Sequence, residues 1–283
     1  MQIERFEVTS SETQRFVAAG HYTVRFADFS LDLYFAPSDE KRALIFSPGY
    51  LDRKTFAVPY FQRTSWLPEL GGVGISLADP TLNLNEDLGV GWFAGTRRCH
   101  YLVEVAEFLS RLLMELGIPN ERTLFFGSSA GGFASIGFAA HLPGSFAFAV
   151  NPQTDLLRFH ALSEIANLTR YGFGGVSVMA LEQHFHSRFN LAALLRQAGH
   201  VPRSYIWQNI HDGYHYDRHL VPFLAELTKL QPARIRVEIG ADKGLDHNPP
   251  ALPFLRPFFE EIFGEMPQAS VVAGQFASSE AKQ

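Results

Sequence analysis

The sequence predicts an α/β protein with a mostly parallel central sheet flanked by helices. Apolar runs of strand length alternate with longer segments of helical spacing, and this alternation is typical of a parallel sheet covered on both faces. The chain has 283 residues, 46% of them hydrophobic, which is enough for one domain with a large buried core. We predict a single domain over residues 1–267 and a disordered tail over residues 268–283, where large side chains are scarce.

The strands and helices follow from the pattern of apolar residues. The alternating and aromatic character of segments 6–8, 21–26 and 31–36 predicts antiparallel strands at the start of the sheet. Apolar runs predict the later strands, at 43–49, 72–80, 122–127, 145–150, 204–210 and 234–240. Helical spacing predicts helices at 101–116 and 130–142, with two or three more between 155 and 199. These last helices interrupt the alternation, and we predict that they form a lid over the carboxyl edge of the sheet.

Composition and charge exclude several classes of protein. The net charge of −5 and the absence of a Lys/Arg cluster disfavour a nucleic-acid binder. A single cysteine, Cys99, rules out an intramolecular disulfide and fits a reducing compartment. The amino terminus lacks the pattern of a secretory signal, and the most apolar stretch, 133–150, is interrupted by polar residues and a proline. We therefore predict a cytoplasmic protein without a membrane span.

The stretch GSSAG, residues 127–131, predicts a nucleophile at a strand-to-helix turn. A strand that turns at once into a helix strains the residue at the turn, and the positions two before and two after it must then lack bulky side chains. Ser129 occupies the turn, between Gly127 and Gly131. The N–H of Ala130 then lies at a helix amino terminus, where it can bind an oxyanion. Ser128 is assigned a structural role. A packing turn of small residues is the alternative.

With a strand before it and a helix after it, GSSAG resembles the nucleophile elbow of the α/β-hydrolases. The resemblance extends over roughly residues 20–264. It implies the α/β-hydrolase fold, chemistry without a cofactor or metal, and the chain order nucleophile, acid, histidine.

The order of that family assigns an acid and a base. Asp212 follows the strand 204–210, where the family places its acid, and His247 lies in the loop after the last strand, where the base is expected. Asp217 is the rival acid, and Asp155 is a further alternative because some members supply the acid after the sixth strand. Asp212 could instead be a helix N-cap.

The second oxyanion donor is expected in the loop after the strand 43–49. Many lipases and esterases carry His-Gly-Gly-Gly there, whereas this chain has Pro48 and Gly49 at the His-Gly position. Proline has no N–H to donate, so we predict the backbone N–H of Tyr50 as the donor. This loop is rich in aromatic residues and could form a wall of the substrate site.

These residues predict a serine hydrolase that cleaves carboxylic esters of a small molecule or a saccharide. The segments GYLDRKTF, PYFQRTSW, LADPTL, WFAG and NPQTD are similar to those of bacterial α/β-hydrolases associated with polysaccharide acylation. That similarity implies an O-acyl esterase or acyltransferase. Two alternatives stay open. One is a catalytically degenerate binding protein, and the other is a zinc hydrolase that uses His211, His215 and His219, which are spaced four apart.

Overall fold

A computed structural model describes residues 4–230 and 234–268 of the chain. Nine strands form one mixed sheet in the order β1-β2-β3-β5-β4-β6-β7-β8-β9. The strands are β1 (Arg5–Thr9), β2 (Gly20–Arg25), β3 (Ser30–Ala36), β4 (Ala43–Phe46), β5 (Val73–Leu77), β6 (Thr123–Ser128), β7 (Phe146–Val150), β8 (Arg203–Asn209) and β9 (Ile235–Gly240). Each of the nine predicted segments overlaps one of these strands. The predicted tail lies outside the described residues from 269 onward.

The helices cover both faces of the sheet. They are α1 (Leu67–Leu70), α2 (Tyr101–Glu115), α3 (Ala130–His141), α4 (Leu162–Phe173), α5 (Val178–Phe189), α6 (Leu191–Ala198), α7 (Gly213–His215), α8 (Val221–Leu227) and α9 (Leu252–Glu265). A π-helical turn, Tyr216–Leu220, joins α7 to α8. The segment 155–199 contains α4, α5 and α6, between β7 and β8. No helix of residues 4–230 and 234–268 has the length and apolar character needed to cross a bilayer.

The sheet is mostly parallel, as predicted, but its first strand differs from the prediction. Neighbouring strands pair in parallel from β5 through β4, β6, β7 and β8 to β9. Strand β3 is antiparallel to both of its neighbours, β2 and β5. The predicted antiparallel pairing of β1 is wrong, because β1 runs parallel to β2. The ten residues between them return across the sheet, and Phe16 in this connection stacks on Tyr22 with ring centroids 4.3 Å apart. A packed return of this kind allows a parallel pair where a tight hairpin would not.

Two hydrophobic layers hold the central strands, one on each face of the sheet. All residues of β6 and β7 are buried. On one face α2 and α3 pack against the strands, and on the other Phe259 of α9 lies 5.0 Å from Phe126 and 5.2 Å from Phe148 between ring centroids. Because both faces are covered, the loops at the carboxyl ends of the parallel strands are the natural place for a site.

We expect Gly127→Ala to destabilise the protein by about 1–3 kcal/mol, the usual range for overpacking a core. A Cβ at Gly127 would lie 2.3 Å from the backbone C and O atoms of Gly131, so the start of α3 would have to move. Gly264→Ala on the exposed end of α9 is the matched control, because its Cβ meets no atom within 4 Å. That control is expected to stabilise the helix by about 0.5–1 kcal/mol. Urea unfolding of the two variants measures both effects, and equal stabilities would contradict this explanation.

Candidate active site

Ser129 occupies a strained backbone position between β6 and α3, at φ 55° and ψ −118°. Positive φ is uncommon for a residue with a side chain and costs about 1–2 kcal/mol when it is left-handed. The tight turn needs glycine on both sides. A Cβ at Gly127 would strike Gly131, and a Cβ at Gly131 would lie 2.4 Å from the carbonyl oxygen of Ser47. The GSSAG stretch therefore has the geometry that its spacing predicted.

Two backbone N–H groups beside this turn are left without acceptors. Within residues 4–230 and 234–268, the N–H groups of Ala130 and Tyr50 donate to no protein atom. The N–H groups that precede them in the chain are engaged: Ser129 N donates to Val150 O at 2.9 Å, and Gly49 N donates to the Gln62 side-chain oxygen at 3.0 Å. These are the two groups that the sequence predicted as oxyanion donors.

Asp212 lies directly after β8 and caps the short helix α7, so its side chain is fixed and buried. Its Oδ2 atom lies 2.5 Å from Nδ1 of His247. Its Oδ1 atom lies 2.9 Å from Nδ1 of His215. Burial opposes the ionisation of this carboxyl, but the hydrogen bonds and charges of the two histidines outweigh burial and hold the pKa of Asp212 well below its usual value. The carboxylate is therefore ionised across the neutral pH range.

His215 is a partner of this pair that the sequence did not identify as such. Its ring stacks on His247, with centroids 3.9 Å apart and planes 19° apart. The His215 side chain is 2% exposed, and burial lowers its pKa although Asp212 acts in the opposite direction. A neutral imidazole thus lies flat against His247 and donates its Nδ1–H to the same carboxylate.

Two buried asparagines bind the His247 loop to the sheet. Asn151 follows β7, and its side-chain N–H donates to the His247 carbonyl at 3.0 Å. Its side-chain oxygen accepts the backbone N–H of Asn209 at 2.8 Å. Asn209 in turn donates to the carbonyls of Asp242 and Asp246. Because Val150, next to Asn151, accepts the N–H of Ser129, the serine turn and the histidine loop belong to one hydrogen-bonded unit.

The structure brings Asp212 and His247 together at the sheet edge that carries Ser129, but Ser129 and His247 do not hydrogen-bond to each other. Within the described part of the chain, neither Ser129 Oγ nor His247 Nε2 forms a hydrogen bond. The His247 side chain is 37% exposed, so a substrate can approach it. Such catalytic hydrogen bonds often tighten only when substrate binds.

The rival acids lie elsewhere. Asp217 is exposed on the π-helical turn. Asp155 forms a salt bridge with Arg158, in which Oδ2 lies 3.1 Å from Nε. Neither contacts His247 in the ranges 4–230 and 234–268.

The predicted zinc cluster of His211, His215 and His219 is not formed. His211 is exposed, and within the described residues the group with donor atoms close enough for a metal is Asp212, His215 and His247. Their donor atoms lie within 4.8 Å of one another. The spacing of four residues failed as a guide because the chain leaves the regular α-helix at the π-helical turn and because His211 precedes α7.

The buried His219 should make the stability of the protein depend on pH. It is fully buried, its Nδ1 accepts the backbone N–H groups of Thr154 and Asp155, and burial lowers its pKa to about 3. The unfolded chain binds a proton at this residue below pH about 6.5 and the folded protein does not, so the free energy of unfolding falls as pH drops from there toward 3. One such proton contributes a slope of about 1.4 kcal/mol per pH unit.

We expect His219→Gln to flatten this slope, because glutamine supplies an acceptor without a proton to bind. His184→Gln, at an exposed position on α5, is the control and should leave the slope unchanged. Urea unfolding at pH 7, 6, 5 and 4 measures the slopes. Parallel curves for wild type and His219→Gln would show that this histidine does not titrate as inferred.

Comparisons with known proteins bear on the fold alone. No protein-family model and no curated protein sequence matches the chain. Among solved structures, it is similar to a capsule O-acetyltransferase of Neisseria meningitidis serogroup A, at 15% identity and a TM-score of 0.63, over 88% of this chain and 96% of that one. Another structure of that enzyme, a mutant in complex with CoA, matches at 14% identity and a TM-score of 0.63, over 86% and 95% of the two chains.

A hydrolase shares the same architecture. An S-formylglutathione hydrolase from Agrobacterium tumefaciens matches at 17% identity and a TM-score of 0.56, over 88% of this chain and 95% of that one. These matches extend over most of each chain and agree with the fold expected from the GSSAG resemblance. The chain therefore has the α/β-hydrolase fold.

Proposed function

We propose that the protein is a serine-dependent acyl hydrolase or acyltransferase that acts on carboxylic esters. Ser129 is the nucleophile, His247 the general base and Asp212 the acid that orients it. The observation that carries this proposal is the 2.5 Å contact between Asp212 and His247, on a loop that Asn151 ties to the strand end beside Ser129. A strained serine and an oriented histidine at one sheet edge are the parts that acyl transfer needs.

In the first step, the Nδ1–H of His247 donates to Asp212 and leaves Nε2 as the base. Nε2 takes the proton of Ser129 Oγ while that oxygen attacks the ester carbonyl. The negative charge that develops on the carbonyl oxygen is bound by the free N–H groups of Ala130 and Tyr50. Asp212 stays ionised throughout and stabilises the imidazolium.

In the second step, the imidazolium gives its proton to the alcohol oxygen as the ester C–O bond breaks. The acyl group remains on Ser129. Water or a second hydroxyl compound then attacks the acyl-enzyme, with His247 again as base. Hydrolysis and transfer differ only in this acceptor.

A saccharide acceptor or ester is supported by the surface beside Tyr50. A groove of about 620 Å³ lies between the loop after β4 and α4, and its lining includes Tyr50, Phe56, Asp52 and Glu164. Exposed aromatic rings beside carboxylates offer apolar faces and hydrogen-bond acceptors to a sugar. The O-acetyltransferase with a related fold is named for a capsule and was solved with CoA. Because α4 belongs to the segment 155–199, we retain the proposal that this segment covers the site.

Ser129→Ala is expected to abolish covalent labelling by a fluorophosphonate probe and to lower the hydrolysis of 4-nitrophenyl acetate by about 10³-fold or more. Ser128→Ala is the matched control and should still be labelled, because it removes the neighbouring hydroxyl only. Asp212→Asn should lower kcat by about 10³- to 10⁴-fold through loss of the correct histidine tautomer. Asp217→Asn, the exposed rival, should retain full activity.

Labelling of Ser129→Ala at the wild-type level would contradict the nucleophile assignment. Wild-type protein that neither reacts with the probe nor hydrolyses any ester would favour the degenerate binding module instead. Loss of activity in Asp217→Asn but not in Asp212→Asn would reassign the acid.

A metal-dependent hydrolase is the second candidate, because the donor atoms of Asp212, His215 and His247 converge. A Zn²⁺ ion bound there would compete with the two hydrogen bonds to Asp212 and would occupy the histidine that the serine needs. We therefore expect exhaustive chelation to leave esterase activity unchanged and added Zn²⁺ to inhibit it. Assay before and after dialysis against a chelator, with elemental analysis, measures this. Activity that vanishes on chelation and returns with Zn²⁺ would establish the metal mechanism.

A further inference from the structure

Arg63 is a partly buried cation that reaches the serine turn from the loop after β4. Its Nη2 donates to Ser128 Oγ at 2.6 Å, and its Nη1 donates to the side-chain oxygen of Gln62 at 3.0 Å. Ser128 adjoins Ser129, and successive Cα atoms are about 3.8 Å apart, so the guanidinium lies within roughly 10 Å of the Ser129 Cα.

No carboxylate neutralises this charge. Arg63 forms no salt bridge with an Asp or Glu of residues 4–230 and 234–268. Its guanidinium packs instead against the rings of Trp66 and Phe126, 5.5 and 5.4 Å from their centroids. Burial lowers the pKa of Arg63 to about 10, which leaves it charged at neutral pH. A partly desolvated cation without a counter-ion is costly, and an anionic ligand would reduce that cost.

The backbone around Arg63 is held in place by specific contacts. Arg63 has a left-handed backbone at φ 63°, a strain that a surface arginine does not need. Gln62 fixes the adjoining chain, since its side-chain oxygen accepts Gly49 N and its carbonyl accepts Ser76 Oγ at 2.8 Å. A Cβ at Gly49 would lie 3.3 Å from Ser128 O and 4.0 Å from Ser128 Oγ, so glycine keeps this space clear.

We propose that Arg63 binds an anionic group, a carboxylate or a phosphate, of the ester or thioester that acylates Ser129. A guanidinium has five N–H donors, and the two contacts to Ser128 and Gln62 leave the others for a planar or tetrahedral oxyanion. This inference rests on the proposed function, because it assigns a substrate class to the same site.

The test compares paired substrates with and without the anionic group, and its readout is the ratio of their kcat/KM values within each variant. In the first pair, 4-nitrophenyl hydrogen succinate and its methyl ester, the carboxylate or its ester is on the acyl side. In the second pair, 4-acetoxybenzoate and its methyl ester, it is on the alcohol side. Acetyl-CoA and the acetyl thioester of N-acetylcysteamine form the pair with and without phosphates. The pair whose kcat/KM ratio changes when Arg63 is substituted identifies the part of the substrate that carries the anion.

For at least one pair, we expect the ratio of the anionic to the neutral member to be about 10- to 100-fold higher in wild type than in Arg63→Met, the range of a charged hydrogen bond. Arg63→Lys, which keeps the charge but loses the planar fork, should give an intermediate ratio. Arg111→Met removes an exposed cation of α2 and should keep the wild-type ratio.

Equal ratios in wild type, Arg63→Met and Arg111→Met for all three pairs would overturn the inference. A preference that Arg111→Met also loses would overturn it too, because the effect would then come from net charge. If Arg63→Met does not fold, equal kcat/KM ratios in wild type and Arg63→Lys would also overturn the inference. Fluorophosphonate labelling of Ser129 in wild type separates these outcomes from failure of the proposed function, which would show as absence of labelling.

Discussion

The strained, positive-φ backbone of Ser129 is the constraint on which the rest of the site depends. The turn requires Gly127 and Gly131 to touch, and the close approach of Gly131 to Ser47 sets the position of the loop after β4. The same turn donates the Ser129 N–H to Val150, and the next residue, Asn151, donates to the carbonyl of His247. One strained residue thus fixes the relative positions of the groups that we propose as nucleophile, oxyanion donors and base. The two hydrophobic layers that bury β6 and β7 hold the turn against this strain.

The carboxylate of Asp212 joins two imidazoles that have different properties. His215 is buried and its lowered pKa keeps it neutral, whereas His247 is exposed on one side to substrate. Because His215 stays neutral, it adds no like charge beside His247 when that ring accepts a proton in the proposed mechanism. The stacked ring also excludes water from the Asp212 contact and limits rotation of His247. We infer that His215 is a positioning residue, since it acts on His247 and contacts no reacting atom.

The sequence predicted the elements better than the connections between them. Periodicity and the glycine spacing identified the nine strands and the serine turn, because these are local properties of the chain. The order of Asp212 and His247 came from the family resemblance. The parallel β1, the contacts of Asn151 and Asn209, and the contact of Arg63 with Ser128 depend on pairs of residues 16 to 96 positions apart. A side chain in such a pair has no local signature. The histidine spacing misled for a related reason, since it assumed a regular helix where the chain forms a π-helical turn.

Charge at the site is separated by the order of the strands. Asp212 follows β8, two strands from β6, and neighbouring strands are about 4.8 Å apart, so roughly 10 Å of sheet lies between the acid and the strand that ends in Ser128. Arg63 approaches β6 from the other side, through the loop after β4. This distance prevents the arginine from forming an ion pair with Asp212, which would weaken the hold of the acid on His247. In the proposed mechanism, the proton is therefore transferred on one side of Ser129. Positive charge and free N–H groups lie on the other side, where the carbonyl oxygen of a substrate would develop its negative charge.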